Sequence, residues 1–314
     1  MRKFIVLLLP IIFALIVSCG SQGNSPVEHT GVKVVTSVYP LYELVHQVGG
    51  NRVEVTNLVP AGSEPHDMEL TPGDINTLRS AKLIVYIGGG FQPALEEALQ
   101  NIDSEVVKLD VTKGLQTIPA SQSEGTEHDH SEEHASEELA FDPHVWLDPV
   151  LMKQITYEIR DTLSQIDQRN KAYYEENASN YAKQLDQLNS EFERGLSNCR
   201  TRYFITSHAA FGYLARRYNL IQVPITGLSP ESEPSPRRMQ EVVELARKHQ
   251  AKVIYFETLV DPRVAETIAN EVGAKTMVLN PIESLTPEQE KAGKDYIELM
   301  KENLQALREG LECK

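Results

Sequence analysis

The sequence has little that would suit a nucleic acid or a nucleotide as a ligand. It carries 30 lysines and arginines against 45 aspartates and glutamates, a net charge of −15 at pH 7. This balance argues against nucleic acid or an anionic membrane surface as the main partner. The stretch "IGGG" at residues 87–90 lacks the glycine spacing and the later acidic residue of a dinucleotide-binding fingerprint. We therefore expect neither nucleic-acid binding nor a nucleotide cofactor.

The N-terminal apolar run is too short for a membrane-spanning helix. The run "FIVLLLPIIFALIV" holds 14 residues, against the ~20 that a spanning helix needs, and it follows the basic start "MRK". It ends at "IVSCG", which resembles the lipobox of bacterial lipoproteins, where the cysteine is lipidated and becomes the new N-terminus. We interpret residues 1–18 as a signal peptide and residues 19–31 as a flexible tether, anchored to lipid through Cys19. An ordinary signal peptide is the alternative, and either one places the protein outside the cytoplasm.

Cysteine is otherwise scarce, since only Cys199 and Cys313 remain after Cys19. In an oxidising compartment this pair could form one disulfide that closes the second half of the chain. The sequence does not give the distance between their Cα atoms, so a disulfide and two free thiols are both open.

From residue 32 onward, short apolar runs alternate with helical segments. The predicted strands are "VKVVTSV", "VEVTNLV", "KLIVYIGGG" and "EVVKLD", then "RYFITS", "IQVPIT", "KVIYFET" and "KTMVLNP". Continuous apolar runs of this kind are typical of parallel sheets covered by helices on both faces. The sequence predicts two four-stranded parallel-sheet α/β lobes, at residues 32–166 and 198–314, joined by one long rigid helix at residues 167–197.

The joining helix has a narrow apolar stripe, whose positions alternate steps of four and three. Its members are Tyr174, Ala178, Tyr181, Leu185, Leu188 and Phe192. Such a stripe is typical of a long helix that lies along other structure. We interpret this helix as a spacer between the lobes of a monomer, with a coiled-coil dimer as the alternative.

An acidic segment interrupts the pattern at residues 120–140. It holds seven carboxylates and three histidines but no lysine or arginine, and it shows no apolar face. Such a composition is typical of a solvated loop. A metal ion held there must order the chain at a cost of about 1–2 kcal/mol per residue. We therefore expect any binding by His128, His130 and His134 to be weak and fast.

Three other histidines lie where predicted strands end. His66 follows the second strand, His208 follows the fifth, and His144 lies in "FDPHVWLDP", between two prolines and beside the only tryptophan. Ligands of open α/β sheets bind beyond the carboxyl ends of the strands. Two of them come from the first lobe and one from the second, and we interpret the three together as candidate ligands. The remaining histidines lack this setting: His29, His46 and His249.

Four segments of the chain resemble the zinc- and manganese-binding solute-binding lipoproteins of bacterial metal ABC importers. They are "EPHDMELTPGDI", "DPHVWLDP", "FITSHAAFGYLARRYNL" and "IANEVGAKTMVLNPIESLT". The resemblance implies two lobes joined by a long helix, with one metal ion in the cleft between them. It implies His66, His144 and His208 as ligands. At the fourth position, where many members have an acidic residue, this sequence has Asn280, with Glu283, Glu257 or a water molecule as alternatives.

Three imidazoles and one oxygen form a tetrahedral set that suits Zn²⁺, whereas Mn²⁺ prefers more oxygen ligands. With no carboxylate assigned to the fourth position, zinc is favoured over manganese. The resemblance then implies a receptor that delivers Zn²⁺ to a membrane permease. It does not imply an enzyme. The acidic loop would collect or sense zinc for the cleft; a solvated linker with chance histidines is its alternative. A manganese receptor, a zinc-dependent hydrolase and a surface adhesin are the other functions considered.

Overall fold

The computed structural model describes residues 31–123 and 139–314. Within them, eight strands form two four-stranded sheets, and every strand pair is parallel. The strands are β1 (Val32–Thr36), β2 (Val53–Asn57), β3 (Leu83–Tyr86), β4 (Val107–Asp110), β5 (Tyr203–Thr206), β6 (Ile221–Pro224), β7 (Val253–Phe256) and β8 (Lys275–Val278). The predicted fold class, with one such sheet in each half of the chain, is confirmed.

The predicted signal peptide, the proposed lipid attachment at Cys19 and the loop histidines lie outside the described residues. These histidines are His128, His130 and His134. Their roles therefore stay predictions.

Both sheets have the same strand order, β2-β1-β3-β4 in the first lobe and β6-β5-β7-β8 in the second. In each lobe the second strand of the chain pairs with one side of the first strand, and the third strand pairs with its other side. The crossing creates a crevice at the carboxyl ends of the two central strands, which is where open α/β sheets bind ligands. Each lobe therefore presents one natural binding edge.

Helices cover both sheets, and a polar side chain caps the start of two of them. Thr71 accepts a hydrogen bond from the Asp74 backbone before the helix Pro72–Ser80, and Asp148 accepts one from Val150 before the helix Pro149–Ile166. The helices of the described chain are α1 (Tyr39–Gly49), α2 (Pro72–Ser80), α3 (Pro93–Gln100), α4 (Ala120–Ser123), α5 (Pro149–Ile166), α6 (Lys171–Gly195), α7 (Gly212–Tyr218), α8 (Pro236–Lys248), α9 (Arg263–Val272), α10 (Pro287–Ala292) and α11 (Tyr296–Gly310).

The long helix α6 connects the two lobes. Every residue of its predicted apolar stripe is buried, from Tyr174 to Phe192. This face packs on α1 and α5 of the first lobe and on α11 of the second. One continuous apolar core consequently runs through both lobes, while a smaller cluster lies under the outer helices of each sheet.

A disulfide joins Cys199 and Cys313, which are 114 positions apart. It links the segment before β5 to the segment after α11, at the amino end of the second sheet. It therefore lies at the edge opposite to the carboxyl ends of the strands. Across the residues that the structure covers, no helix combines the length and apolar character needed to cross a membrane.

Candidate metal centre

Four side chains from four different loops meet at the facing carboxyl edges of the two sheets. His66 follows β2, His144 precedes the short turn Val145–Leu147, His208 follows β5, and Glu283 follows β8. Each can offer one ligand atom, and these four atoms all lie within 4.8 Å of one another. The structure thus brings together the three histidines that the sequence singles out, and it adds Glu283.

The imidazole Nε2 atoms all face one carboxylate oxygen, Oε1 of Glu283. The distances from this oxygen are 3.6 Å to His66, 3.0 Å to His144 and 3.4 Å to His208. The Nε2 atoms of His144 and His208 are 3.3 Å apart. Four tetrahedral ligands about 2.0–2.2 Å from a zinc ion lie about 3.4 Å from one another. These four distances are close to that geometry.

The four groups are shielded from solvent. The side chains of His144 and His208 are fully buried, and those of His66 and Glu283 are 6% and 2% exposed. Buried polar groups normally find a hydrogen-bonding partner. Nε2 of His66 is buried without one in the described structure, because its contact with Glu283 is longer than a hydrogen bond. That nitrogen can therefore donate its lone pair to an ion at the centre of the group.

Two further carboxylates orient the imidazoles. Asp142 lies 2.8 Å from Nδ1 of His144, and Glu257 lies 2.7 Å from Nδ1 of His208. Each carboxylate also accepts the backbone N–H of the same histidine. Since an ionised carboxylate only accepts hydrogen bonds, Nδ1 carries the proton in both rings and the lone pair of Nε2 can face a metal ion.

His66 is positioned by different contacts. Its ring meets the edge of Phe91 with centroids 4.8 Å apart, and its backbone N–H donates to Glu64. Burial lowers the pKa of His66, so this imidazole favours its neutral form. His66 therefore offers an unprotonated nitrogen at neutral pH. For Glu64 the shift is in the other direction: burial and the negative charge of Glu283 raise its pKa to about 8.

The other ionisable groups behave as a charged network. Burial alone would lower the pKa of His144 and of His208, but the neighbouring carboxylates outweigh it and raise both, that of His208 well above its usual value. Burial alone would raise the pKa of Glu283, but hydrogen bonds from His144 and His208 hold it well below its usual range. Without a metal ion, protons on these two imidazoles stabilise the buried carboxylate.

Asn280, the residue that the sequence analysis favoured as the fourth ligand, lies outside this group of four. Its Oδ1 accepts the backbone N–H of Ile282 at 2.8 Å, and its Nδ2 has no hydrogen-bonding partner in the described chain. Of the two carboxylates considered as alternatives, Glu283 joins the imidazoles, and Glu257 contacts the far side of the His208 ring. Asn280 thus shapes the loop that carries Glu283.

Sequence reasoning did not single out Asp142, although a signal for it was present. The carboxylate stands two residues before His144 in "FDPHVW", a separation at which its side chain can reach the ring.

The loop around Glu283 was harder to foresee, because Ile282 has a φ of +60°. A β-branched residue in this left-handed region is an outlier that costs about 1–3 kcal/mol.

The loop that carries Glu283 belongs to the second lobe but is bonded to the first. The backbone carbonyl of Pro281 accepts from the Trp146 indole at 2.7 Å, and that of Glu283 accepts from the Tyr39 backbone at 3.3 Å. The Leu285 carbonyl accepts from Gly62 at 2.7 Å. Both lobes therefore determine where this carboxylate stands.

The chain matches known proteins over nearly its whole length. The model of the family described as "Zinc-uptake complex component A periplasmic" matches residues 34–310. The zinc-binding lipoprotein AdcA of Streptococcus pneumoniae R6 is 38% identical over 310 residues, which is 98% of this chain but 61% of AdcA. The chain thus spans about three fifths of the length of that relative.

A second relative and a solved structure match over most of both partners. The high-affinity zinc uptake system protein ZnuA of Bacillus subtilis 168 is 38% identical over 303 residues, 95% of this chain and 94% of that protein. The crystal structure of the Zn(II)-bound ZnuA-like domain of Streptococcus pneumoniae AdcA has a TM-score of 0.76 and 36% identity. It covers 90% of this chain and 99% of that domain.

Proposed function

Because the chain belongs to the family of zinc-uptake complex component A proteins, we propose that it is an extracytoplasmic receptor that binds one zinc ion. The receptor hands this ion to the membrane permease of an ABC importer. The zinc ion is the cargo of the protein, so the site must hold it firmly and yet release it.

The geometry of the four-residue group carries the proposal. Nε2 of His66, His144 and His208 and a carboxylate oxygen of Glu283 are the ligand atoms that we assign to the ion. They come from loops of both lobes, and their spacing suits a tetrahedral zinc site. The outer carboxylates Asp142 and Glu257 raise the basicity of two of the ligands.

Zinc remains the preferred metal when Glu283 is assigned as the fourth ligand. Three of the four donor atoms are imidazole nitrogens, which suit Zn²⁺ better than Mn²⁺. Manganese also binds more weakly than zinc at a given set of nitrogen and oxygen ligands. We expect manganese to bind only when zinc is absent.

A zinc-dependent hydrolase would need a different arrangement. A catalytic zinc ion keeps one coordination position open for water or substrate. In the proposed site Glu283 takes the fourth tetrahedral position, and the side chains of all four residues are at most 6% exposed. This geometry supports binding and transfer of the ion rather than turnover.

The membrane anchor and the acidic loop complete the proposal. Lipidation of Cys19 would hold the receptor near its permease, and the tether at residues 19–31 would let it reach the permease. The histidines of residues 120–140 would gather zinc weakly and pass it to the cleft. The protein would act as a monomer, because the apolar stripe of α6 is already covered by its own lobes.

Metal content and affinity test this function. The mature protein, prepared metal-free and titrated with Zn²⁺ against a chromophoric chelator, should bind one ion tightly per chain. His208→Ala should weaken this site by more than the 10–100-fold that loss of an outer partner causes. His46→Ala removes an exposed histidine of α1 and should leave the affinity unchanged. Equal affinity in His208→Ala and wild type would refute the proposed function.

A further inference from the structure

The backbone just before Glu283 is held in a conformation that its sequence does not favour. Ile282 has a φ of +60° and is fully buried. A β-branched side chain adopts this left-handed region only where its surroundings enforce it, and such positions concentrate at functional sites. The surroundings of Ile282 therefore identify the groups that fix the carboxylate.

The enforcing contacts lead to a residue on the last helix. Oδ1 of Asn280 accepts the Ile282 N–H at 2.8 Å, which closes the turn. Asn280 is itself fixed by Asn303 of α11, whose Oδ1 accepts the Asn280 N–H at 2.8 Å. Nδ2 of Asn303 donates to the Asn280 carbonyl at 2.6 Å. One buried amide side chain thus satisfies both backbone groups of the residue that starts the turn.

Position 303 requires a side chain with one hydrogen-bond donor and one acceptor, and an amide has both. Asparagine supplies one acceptor and one donor, and both are used. An aspartate at position 303 would place a second acceptor against the Asn280 carbonyl. A leucine would leave both backbone groups of Asn280 buried without partners.

We propose that Asn303 is a positioning residue for the metal site: through Asn280 and Ile282 it sets the place of the Glu283 carboxylate and thereby the affinity for the ion. This inference rests on the proposed function. The two hydrogen bonds of Asn303 go to the backbone of Asn280, so its influence on the ion passes through the loop. Its role is to restrict the carboxylate to the position where the imidazole nitrogens converge.

The direct test compares Asn303→Asp with wild type. Zinc affinity is measured by chelator competition, and Co²⁺ absorption reports whether the ion keeps four protein ligands. We expect a 10–100-fold loss of affinity, the range typical of outer partners, together with a changed Co²⁺ spectrum. The control is Thr156→Val, because Thr156 is also fully buried but bonds only within its own helix α5. The control should keep both the affinity and the spectrum.

A double-mutant cycle separates positioning from general damage. In a Glu283→Gln background, Asn303→Asp should change the affinity by less than about twofold, since its effect is transmitted through that carboxylate. If the two substitutions together reduce the affinity by the product of their separate effects, the proposal is overturned. It is also overturned if Asn303→Asp keeps the wild-type affinity and spectrum, provided that wild type binds zinc and that Glu283→Gln weakens the binding. Wild type without tight zinc binding would instead refute the proposed function itself.

A second variant tests the same idea and leaves Asn303 in place. Ile282→Gly accepts a positive φ freely, but it also removes a fully buried side chain, so its melting temperature should fall. It should bind zinc at least threefold more weakly, because the carboxylate is then less restricted. Ile159→Ala, which leaves a buried cavity in α5, should keep the affinity. Ile282→Gly decides the question if Asn303→Asp does not fold, and unchanged zinc affinity in it would overturn the inference.

Discussion

Nδ1 of His208 lies 2.7 Å from a carboxylate oxygen of Glu257, a residue 49 positions further along the chain. β5 and β7 are neighbours in the second sheet, so the loops that follow them come together. The strand order therefore supplies the outer partner of a proposed ligand.

Replacing Glu257 by glutamine should weaken zinc binding by about 10–100-fold. The glutamine oxygen can still accept the hydrogen bond from Nδ1–H of His208. It lacks the negative charge that makes the ring a better electron donor to the metal. Chelator competition measures the change, and Glu231→Gln, at an exposed carboxylate of the same lobe, should leave the affinity unchanged. Equal losses in the two variants would indicate a general effect of charge.

Zinc binding should release protons and strengthen as pH rises. The pKa values of His144 and His208 are raised in the metal-free site, so both rings are largely protonated below their ordinary value of ~6.5 and remain partly so above it. A metal ion must displace these protons. We expect weak binding below about pH 6 and a continuing gain in affinity above pH 7.

The number of displaced protons is measurable. Calorimetric titration at pH 7 in two buffers of different ionisation enthalpy should show about one to two protons released per zinc ion. Release of no protons at this pH would mean that the three imidazoles are already neutral. The charged network described above would then be incorrect.

Removing the disulfide should destabilise the fold without affecting the metal site. Replacing Cys199 and Cys313 by serine should lower the free energy of unfolding by about 2–5 kcal/mol, because the bridge closes a long loop. Zinc affinity should stay within about twofold of wild type, since the bridge lies at the amino end of the second sheet. Denaturant unfolding and chelator competition measure the two quantities, and a large loss of affinity would contradict the separation.

Replacing His128, His130 and His134 by serine should leave the tight site intact. The change keeps the length and charge of the acidic loop but removes its imidazoles. We expect one tightly bound zinc ion per chain as before, while weak additional binding at excess zinc disappears. Loss of the tight site in this triple variant would show that the loop histidines belong to it.

The positions of the three imidazoles were predictable from the sequence for a simple reason. Alternating strands and helices predict parallel sheets, and parallel strands place all their exits at one edge. His66 and His208 could be assigned to that edge from the apolar runs that precede them. His144 follows no strand directly, but its prolines and Trp146 indicated an ordered segment.

The fourth group was less predictable because its place depends on one backbone torsion. The family resemblance pointed to Asn280, which stands at the matching position just beyond β8. Ile282 then turns the chain through a positive φ that a β-branched residue rarely adopts, and this turn brings Glu283 to the histidines. The pairing of Cys199 with Cys313 was similarly open, since it depends on a tertiary approach that composition does not encode.

The backbone bonds between the Glu283 loop and the first lobe constrain how the cargo can leave. Residues 31–123 and 139–314 form one compact unit, and Trp146, Tyr39 and Gly62 bind the loop at three successive points. A hinge that swung the halves apart would have to break those bonds and expose the shared apolar interior. We therefore expect unloading to proceed by small displacements of single loops, at a rate set by local loosening rather than by domain opening.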